Sequence, residues 1–391
     1  MFGGTSVYAD GVYFNDVYTM GLSDPQGYAW QRLEPSGTPP AGRGDHVMVY
    51  DPVGMRMIVF GGSPGIGQRL NDLWELDLTP DAEAWHALTP GGTPPSARAY
   101  ACGVYVPTRN SIIIFGGSTA GGFTNDAWEL QLSDTSWHAL SPSGSAPVVR
   151  SDGCAAYDAA NSRILLFGGR GASFLNDVWA LNLDTDAEQW AQLSPGGPVP
   201  QTRCGFASAS TGDRLFICAG WNESYFFNNL FMLDLASMTW TAINPSGDAP
   251  AERRNTTGFW DYLHSNFFIC CGEYDIGGYL QDTYFVDLGN VGLSEWAKPW
   301  ASRGGLRLRV TGLNDIKIEC FTSTDCQVRL RIVDVNGRQV RQLHTGLTSA
   351  PSFTVTWDGR DDAGNAVSSG TYYCTAQAAG AVATEKVIVL R

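Results

Sequence analysis

Apolar positions in residues 1 to about 300 fall in short runs of four to nine residues, many alternating with polar ones. One stretch reads Arg43-Gly-Asp-His-Val-Met-Val-Tyr-Asp51, Arg56-Met-Ile-Val-Phe-Gly-Gly62, Asn71-Asp-Leu-Trp-Glu-Leu-Asp-Leu78 and Ala84-Trp-His-Ala-Leu88. The runs are rich in β-branched and aromatic residues, and turn residues separate them. This pattern predicts four short antiparallel strands. Helical periodicity is absent, and no run reaches the roughly 18 apolar residues that a membrane-spanning helix needs.

The strand group repeats. A glycine doublet stands at Gly3-Gly4, Gly61-Gly62, Gly116-Gly117 and Gly168-Gly169, and decays to Ala219-Gly220 and Cys271-Gly272. Its second members lie 58, 55, 52, 51 and 52 residues apart. Such a period marks one supersecondary unit copied in series.

Other landmarks keep register. Asn-Asp opens the third strand at Asn15, Asn71, Asn125 and Asn176, with the variants Asn228-Asn229 and Gln281-Asp282. An aromatic follows two residues after each pair: Tyr18, Trp74, Trp128, Trp179, Phe231 and Tyr284. A tryptophan opens the fourth strand at Trp30, Trp85, Trp137, Trp190, Trp240 and Trp296. An arginine follows the first five tryptophans by thirteen residues, at Arg43, Arg98, Arg150, Arg203 and Arg253, each with a proline three positions before it. Paired glycines permit positive φ and close backbone approach. Asn and Asp suit the turn into the third strand. A buried tryptophan covers about 150–250 Å², worth about 4–6 kcal/mol gross at roughly 25 cal/mol/Å². Small sheets carrying such wedges must stack on one another.

These residues together resemble the kelch repeat. The resemblance spans residues 1 to about 300 and implies an all-β fold: a six-bladed β-propeller with one four-stranded blade per repeat. The blades are expected near 1–35, 43–90, 98–142, 150–195, 203–245 and 253–300. The first copy begins at the end of its second strand, so its first strand is missing. Two readings stay open: the chain is an amino-terminally truncated fragment, or a later segment such as Gly305–Val310 fills the gap. An unfilled gap would leave a strand edge exposed.

From about residue 303 the repeat stops. Seven short alternating strands are expected at 306–310, 316–321, 327–334, 339–343, 353–357, 370–378 and 383–390, as in a small β-sandwich. Val335-Asn-Gly337 signals a hairpin. The wording Val328–Leu343, Thr356–Asn365 and Ser369–Tyr373 resembles the FlgD-like immunoglobulin domain and is similar to the sorting domains of the type IX secretion system. That resemblance implies a secreted or cell-surface bacterial protein, with residues 303–391 engaging sorting or anchoring machinery. Leu313-Asn-Asp315 replaces the Asn-Pro of many such domains.

Net charge is −14 and the pI about 4.7, which argues against nucleic acid or anionic lipid as main partner. Of nine cysteines, Cys102, Cys154, Cys218, Cys270 and Cys271 read as small core residues, while Cys320 and Cys326 bracket a short turn that a disulfide would suit. Five histidines offer no metal motif, and only His46 falls near the channel end of a first strand. Gly61-Gly-Ser-Pro-Gly65 lacks the strand–turn–helix setting of a nucleophile elbow. Arg43-Gly-Asp45 coincides with a repeat arginine, so its likeness to an adhesion tripeptide carries no weight. Asp358, Asp361 and Asp362 read as a turn. No cofactor and no catalytic set is expected.

Two sets of binding candidates remain. Arg43, Arg98, Arg150, Arg203 and Arg253 form either blade-to-blade staples or a basic ring for a carboxylate; kelch adaptors are similar in placing arginines at the channel mouth, where Arg254 also falls. Trp221, Tyr225, Phe226 and Phe227 make an aromatic cluster in the doublet loop 221–227, which joins loops 63–70 and 118–124 as expected contacts. The expected role is non-catalytic recognition of a protein or glycan. The alternatives are a carbohydrate-active enzyme of the oxidase or sialate-epimerase type and a purely structural surface protein.

Overall fold

A computed structural model describes the whole chain except residues 6–10, 23–29, 184–187, 276–277, 289–294, 298–306, 312–315, 322–325, 335–337, 349–351, 379–380 and 390–391. The described residues are almost all strand and turn, as the sequence pattern predicts. They divide into two compact units: Met1–Thr19 with Gln31–Ala297, and Met20–Trp30 with Lys298–Arg391.

Among its described residues the first unit holds six main sheets in series and two short two-stranded pairs, Ser118–Thr119 with Gly122–Phe123 and Glu273–Asp275 with Gly278–Tyr279. The second sheet is typical. Its strands Val47–Asp51, Arg56–Gly62, Leu70–Asp77 and Ala84–Leu88 pair in chain order. The fourth and fifth sheets repeat this order, and the third and sixth add a two-residue parallel strand from the preceding linker, Gly91–Gly92 and Ser246–Gly247. The first has three strands, Phe2–Thr5, Tyr13–Met20 and Trp30–Leu33.

Burial is continuous from sheet to sheet. Five apolar clusters each combine residues of two successive sheets. The fourth-strand tryptophan is the wedge: it packs on the second-strand phenylalanine of the sheet before it. Ring centroids are 4.8 Å apart for Trp85–Phe2, 5.0 Å for Trp137–Phe60, 5.1 Å for Trp190–Phe115 and 5.0 Å for Trp240–Phe167. Strand Glu295–Ala297 carries the sixth tryptophan, whose side chain lies outside the described residues.

Both doublet glycines have positive φ, 65° and 96° at Gly61 and Gly62. A Cβ on Gly61 would stand 2.7 Å from the Arg98 carbonyl of the next sheet, so the doublet lets neighbouring blades approach. Ala219 and Cys271 hold the same conformation at φ 65° and 58° with a side chain present, at a cost of about 1 kcal/mol or more each.

Among its described residues the second unit contains two sheets. Arg307–Thr311, Ile316–Phe321 and Ser352–Trp357 form one; Gln339–Thr348, Cys326–Val333, Gly370–Ala378 and Ala381–Val389 form the other. Trp357, Ile318, Leu330, Ile332 and Val387 lie in their shared core. The strand at Arg307–Thr311 pairs with Ile316–Phe321. Gly305–Val310 therefore does not complete the first blade: its described residues are committed to the sandwich edge. The Val335-Asn-Gly337 turn and the Cys326 side chain lie outside the described residues, so the Cys320–Cys326 pairing does too. Asp361 accepts from the Asn365 backbone N–H at 2.8 Å, as a turn-forming carboxylate does, whereas Asp362 accepts from the Gln342 N–H of strand Gln339–Thr348 at 2.9 Å.

Candidate functional site

Each repeat arginine lies just before a first strand, and its backbone and side chain serve different blades. The Arg98 carbonyl accepts from Gly62 N–H at 2.9 Å and its N–H donates to the Leu70 carbonyl at 2.9 Å, both in the preceding blade. Its guanidinium turns into its own blade. Nη1 and Nη2 donate to the two carboxylate oxygens of Asp126 at 2.8 Å each, Nη1 to the Gly116 carbonyl at 2.8 Å, and Nε to the Ser96 carbonyl at 3.1 Å. Arg43–Asp72, Arg150–Asp177 and Arg253–Asp282 repeat this bidentate clasp. At Asp72, Asp126 and Asp177 burial opposes the carboxylate charge, but the guanidinium and the neighbouring indole outweigh it and lower the pKa, to about 2 for Asp126. The indole N–H of Trp74, Trp128 or Trp179 donates to the clasped aspartate at 2.6–2.7 Å. Asn71, Asn125, Asn176 and Asn228 donate to the carbonyl of the proline that precedes the next arginine.

Arg43, Arg98, Arg150, Arg203 and Arg253 are thus staples between blades, at 0–1% exposure. The reading of them as a water-facing basic ring is corrected on that ground. A desolvated guanidinium is best saturated by its own protein; Arg43, Arg98, Arg150 and Arg253 are, by their clasped aspartates, and have no surface left for a ligand.

The open positions come two residues later. Asp45, Tyr100, Asp152, Gly205 and Asn255 all have left-handed backbone, φ 51–62°. Tyr100 N–H donates to the Asp45 carbonyl at 2.8 Å, Asp152 N–H to Tyr100 at 3.0 Å, and Gly205 N–H to Asp152 at 3.2 Å. A Cβ on Gly205 would meet Asn255. Three backbone hydrogen bonds therefore link one residue from each of four blades in an arc, with Asn255 of the next blade against its end; this arc is termed the mouth. Its side chains differ between repeats, whereas the staples do not.

The mouth is electrically unusual. Burial raises the Asp45 carboxyl to about 6, opposed by a hydrogen bond with Tyr100 and by Arg69. Burial, then the charge of Asp45, raises Asp152 to about 7. The Tyr100 hydroxyl is pushed up by burial and by both carboxylates. Such perturbation marks functional-site candidates. His46 does not belong to the mouth. It is packed on Phe2 with ring centroids 5.2 Å apart, and burial lowers it to about 3.

Beside the mouth stands an aromatic–arginine platform. Trp221 pairs through its backbone with Cys204, the neighbour of Gly205. Phe174 meets it edge-on at 5.0 Å. The Arg254 guanidinium lies 4.4 Å from the Trp221 ring and 5.4 Å from Phe226. Arg170, which is exposed, lies 5.5 Å from Phe174 and 6.0 Å from Trp221. Buried Glu273 accepts from Arg254 and Asn255. Of the four aromatics singled out in the sequence, Trp221 and Phe226 are half-buried and Tyr225 is 64% exposed, so these three face the surface. Phe227 does not: it is buried beneath Arg203, 4.3 Å from the guanidinium. Asp45, Tyr100, Asp152, Arg170 and Phe174 were not found by repeat matching, because they stand where the repeats disagree. Among the described residues no cluster of His, Cys, Asp and Glu has the makings of a metal site.

Comparison with known proteins places this geometry among relatives. The profile described as the KLHDC2/KLHL20/DRC7 Kelch-repeats domain matches residues 1–156 and 110–302, and the FlgD Ig-like domain matches residues 309–381. The flagellar outer-arm dynein alpha chain of Chlamydomonas reinhardtii is 27% identical over 293 residues, covering 70% of this chain and 6% of that protein. The leucine-zipper-like transcriptional regulator 1 homolog of Drosophila melanogaster is 32% identical over 212 residues, 51% of this chain and 21% of the relative. Human host cell factor 1 is 29% identical over 275 residues, 60% and 13%. The chain thus spans well under half of each of these relatives.

Proposed function

Because the chain belongs to the kelch-repeat family, whose repeats serve as protein-interaction modules, we propose that its propeller is a non-catalytic module that grips a partner protein at the mouth. Asp45, Tyr100 and Asp152 receive the partner's polar groups, and Trp221, Tyr225 and Phe226 supply apolar contact. One observation carries this reading: a half-buried aromatic–arginine platform stands directly on the hydrogen-bonded arc. Aromatic residues and arginine are the types that dominate interface energetics. A protein is favoured over a glycan because Arg254 and Arg170 already sit against Trp221, so its ring is not a free stacking surface for a sugar.

The FlgD-like unit supports the companion proposal of a secreted or surface-attached bacterial protein, sorted or anchored through residues 303–391. Fractionation of the producing cells tests it: residence in the cytosol contradicts it.

The test of the recognition reading is a protein and peptide array, with a glycan array beside it, probed by the purified chain. Ligands should be lost on Trp221→Ala with Tyr225→Ala while the fold persists. Ligands retained by that variant would contradict the reading. A second reading, a catalytic mouth of the carbohydrate-active type, draws on the two carboxyls held near neutrality. Turnover abolished by Asp152→Asn in a folded protein would establish it.

A further inference from the structure

Four of the five staples close on a carboxylate; the fifth does not. Arg203 is as buried as its counterparts, at 0% exposure, but the residue opposite is Asn229. Nη1 donates to Asn229 Oδ1 at 2.8 Å and to the Ala219 carbonyl at 3.0 Å, and Nε to the Gln201 carbonyl at 3.1 Å. Nη2 has no hydrogen-bond partner among the described residues. An amide that offers its oxygen to Nη1 turns its NH₂ toward the place where the other repeats hold a second carboxylate oxygen. Two donors, Arg203 Nη2 and Asn229 Nδ2, are then left without the acceptor that the other clasps supply.

A second departure accompanies the first. Phe231 occupies the position of Trp74, Trp128 and Trp179, so the indole N–H that would have bonded a carboxylate is absent as well. The rings of Phe227 and Phe231 lie 4.3 and 5.5 Å from the guanidinium carbon. They stabilise the cation through their faces but accept nothing from the Nη2 edge. Burial draws the Arg203 pKa down to about 10, a sign that its charge is poorly compensated. The neighbouring Cys218 is no counter-ion, because burial pushes its thiol up to about 12. An uncompensated buried charge is among the costliest features a fold can carry.

We propose that the open clasp of the fifth repeat is a binding site for a small inorganic anion of chloride size, seated beside Arg203 Nη2 and Asn229 Nδ2, where it accepts from both and supplies the charge that the carboxylate supplies elsewhere. Access sets the size. Arg203 itself has no exposed surface, whereas Asn229 is exposed, so the ion enters along Asn229. A larger oxyanion would have to displace Phe227, whose backbone is fixed by bonds to Gly220 at 2.8 Å and Arg253 at 3.0 Å. The same bonds make Phe227 the base of the loop that carries Trp221, Tyr225 and Phe226, so the anion steadies that loop from below.

Thermal unfolding of the full chain in sodium chloride and in sodium gluconate at equal ionic strength tests the site. The wild-type midpoint should be higher in chloride by about 2 °C and should saturate with chloride concentration. Asn229→Asp, which restores the carboxylate, should raise the midpoint and abolish the chloride dependence. Crystals of the wild-type chain grown in bromide should show an anomalous peak beside Arg203 Nη2, a readout that needs no variant. Equal midpoints in the two salts, a chloride shift that persists in Asn229→Asp, or an empty clasp in bromide would each overturn the proposal.

Discussion

Arg98 and Tyr100 are two residues apart and do opposite work, and the same holds for Arg43 with Asp45 and Arg150 with Asp152. The first member of each of these pairs is the arginine that recurs in five repeats, and here it is buried and clasped by an aspartate. The second differs from repeat to repeat and borders the mouth. The difference teaches where to look in a repeat protein. A side chain that must fit the same clasp in each copy is held constant by the architecture. A side chain freed from it, yet held in register by the same backbone, is available for recognition.

The largest effect that could break this comparison is loss of a staple. Arg98→Ala removes six side-chain hydrogen bonds at one blade junction and should cost about 3–5 kcal/mol, read as a lowered denaturation midpoint. A loss below about 1 kcal/mol would mean that the clasp is ornamental. Next comes the wedge. Trp137→Ala opens the contact with Phe60 and should cost about 3–5 kcal/mol, near the lower end because its indole N–H makes no bond to lose.

A smaller effect is the pH dependence of the mouth. The carboxyl groups of Asp45 and Asp152 have folded-state pKa values raised to about 6 and about 7, by burial first. Raised acids keep their protons in the folded chain after the unfolded chain has released them. Stability should therefore fall as pH rises from about 4 through 7 and level off above. The slope is at most about 1.4 kcal/mol per pH unit for each carboxyl. Asp152→Asn should flatten the curve; a curve that rises with pH in this window and is unchanged by the substitution would refute the assignment. The smallest effect on stability is that of Tyr225→Ala, within about 0.5 kcal/mol, since the ring is exposed; its effect should be on partner binding instead.

Much of the fold was legible because its determinants recur. Period-two runs gave the strands, the doublet gave the blade edge, and Trp85, Trp137, Trp190 and Trp240 gave the wedges in advance. The arginines were found for the same reason, but repetition alone could not say which way a guanidinium faces. That depended on the aspartate 27–29 residues downstream, which is close in space only once strand three lies beside strand two. Phe227 misled for a related reason. It belongs to a run of aromatics in the sequence, but strand alternation turns Phe226 outward and Phe227 onto Arg203. Asp45, Tyr100 and Asp152 carried no repeat signal, and their desolvation arises only when five blades bring their turns together.

The central claim is that recognition resides in the variable mouth and not in the invariant staples. The most direct measurement is binding of an array-identified protein partner to the chain carrying Asp45→Asn with Asp152→Asn, beside a staple variant, Asp126→Asn, at a temperature where both remain folded. The mouth variant should lose at least tenfold in affinity at an unchanged or higher thermal midpoint, while the staple variant melts earlier and binds normally. Full affinity in the mouth variant, with loss confined to the staple variant, would contradict it.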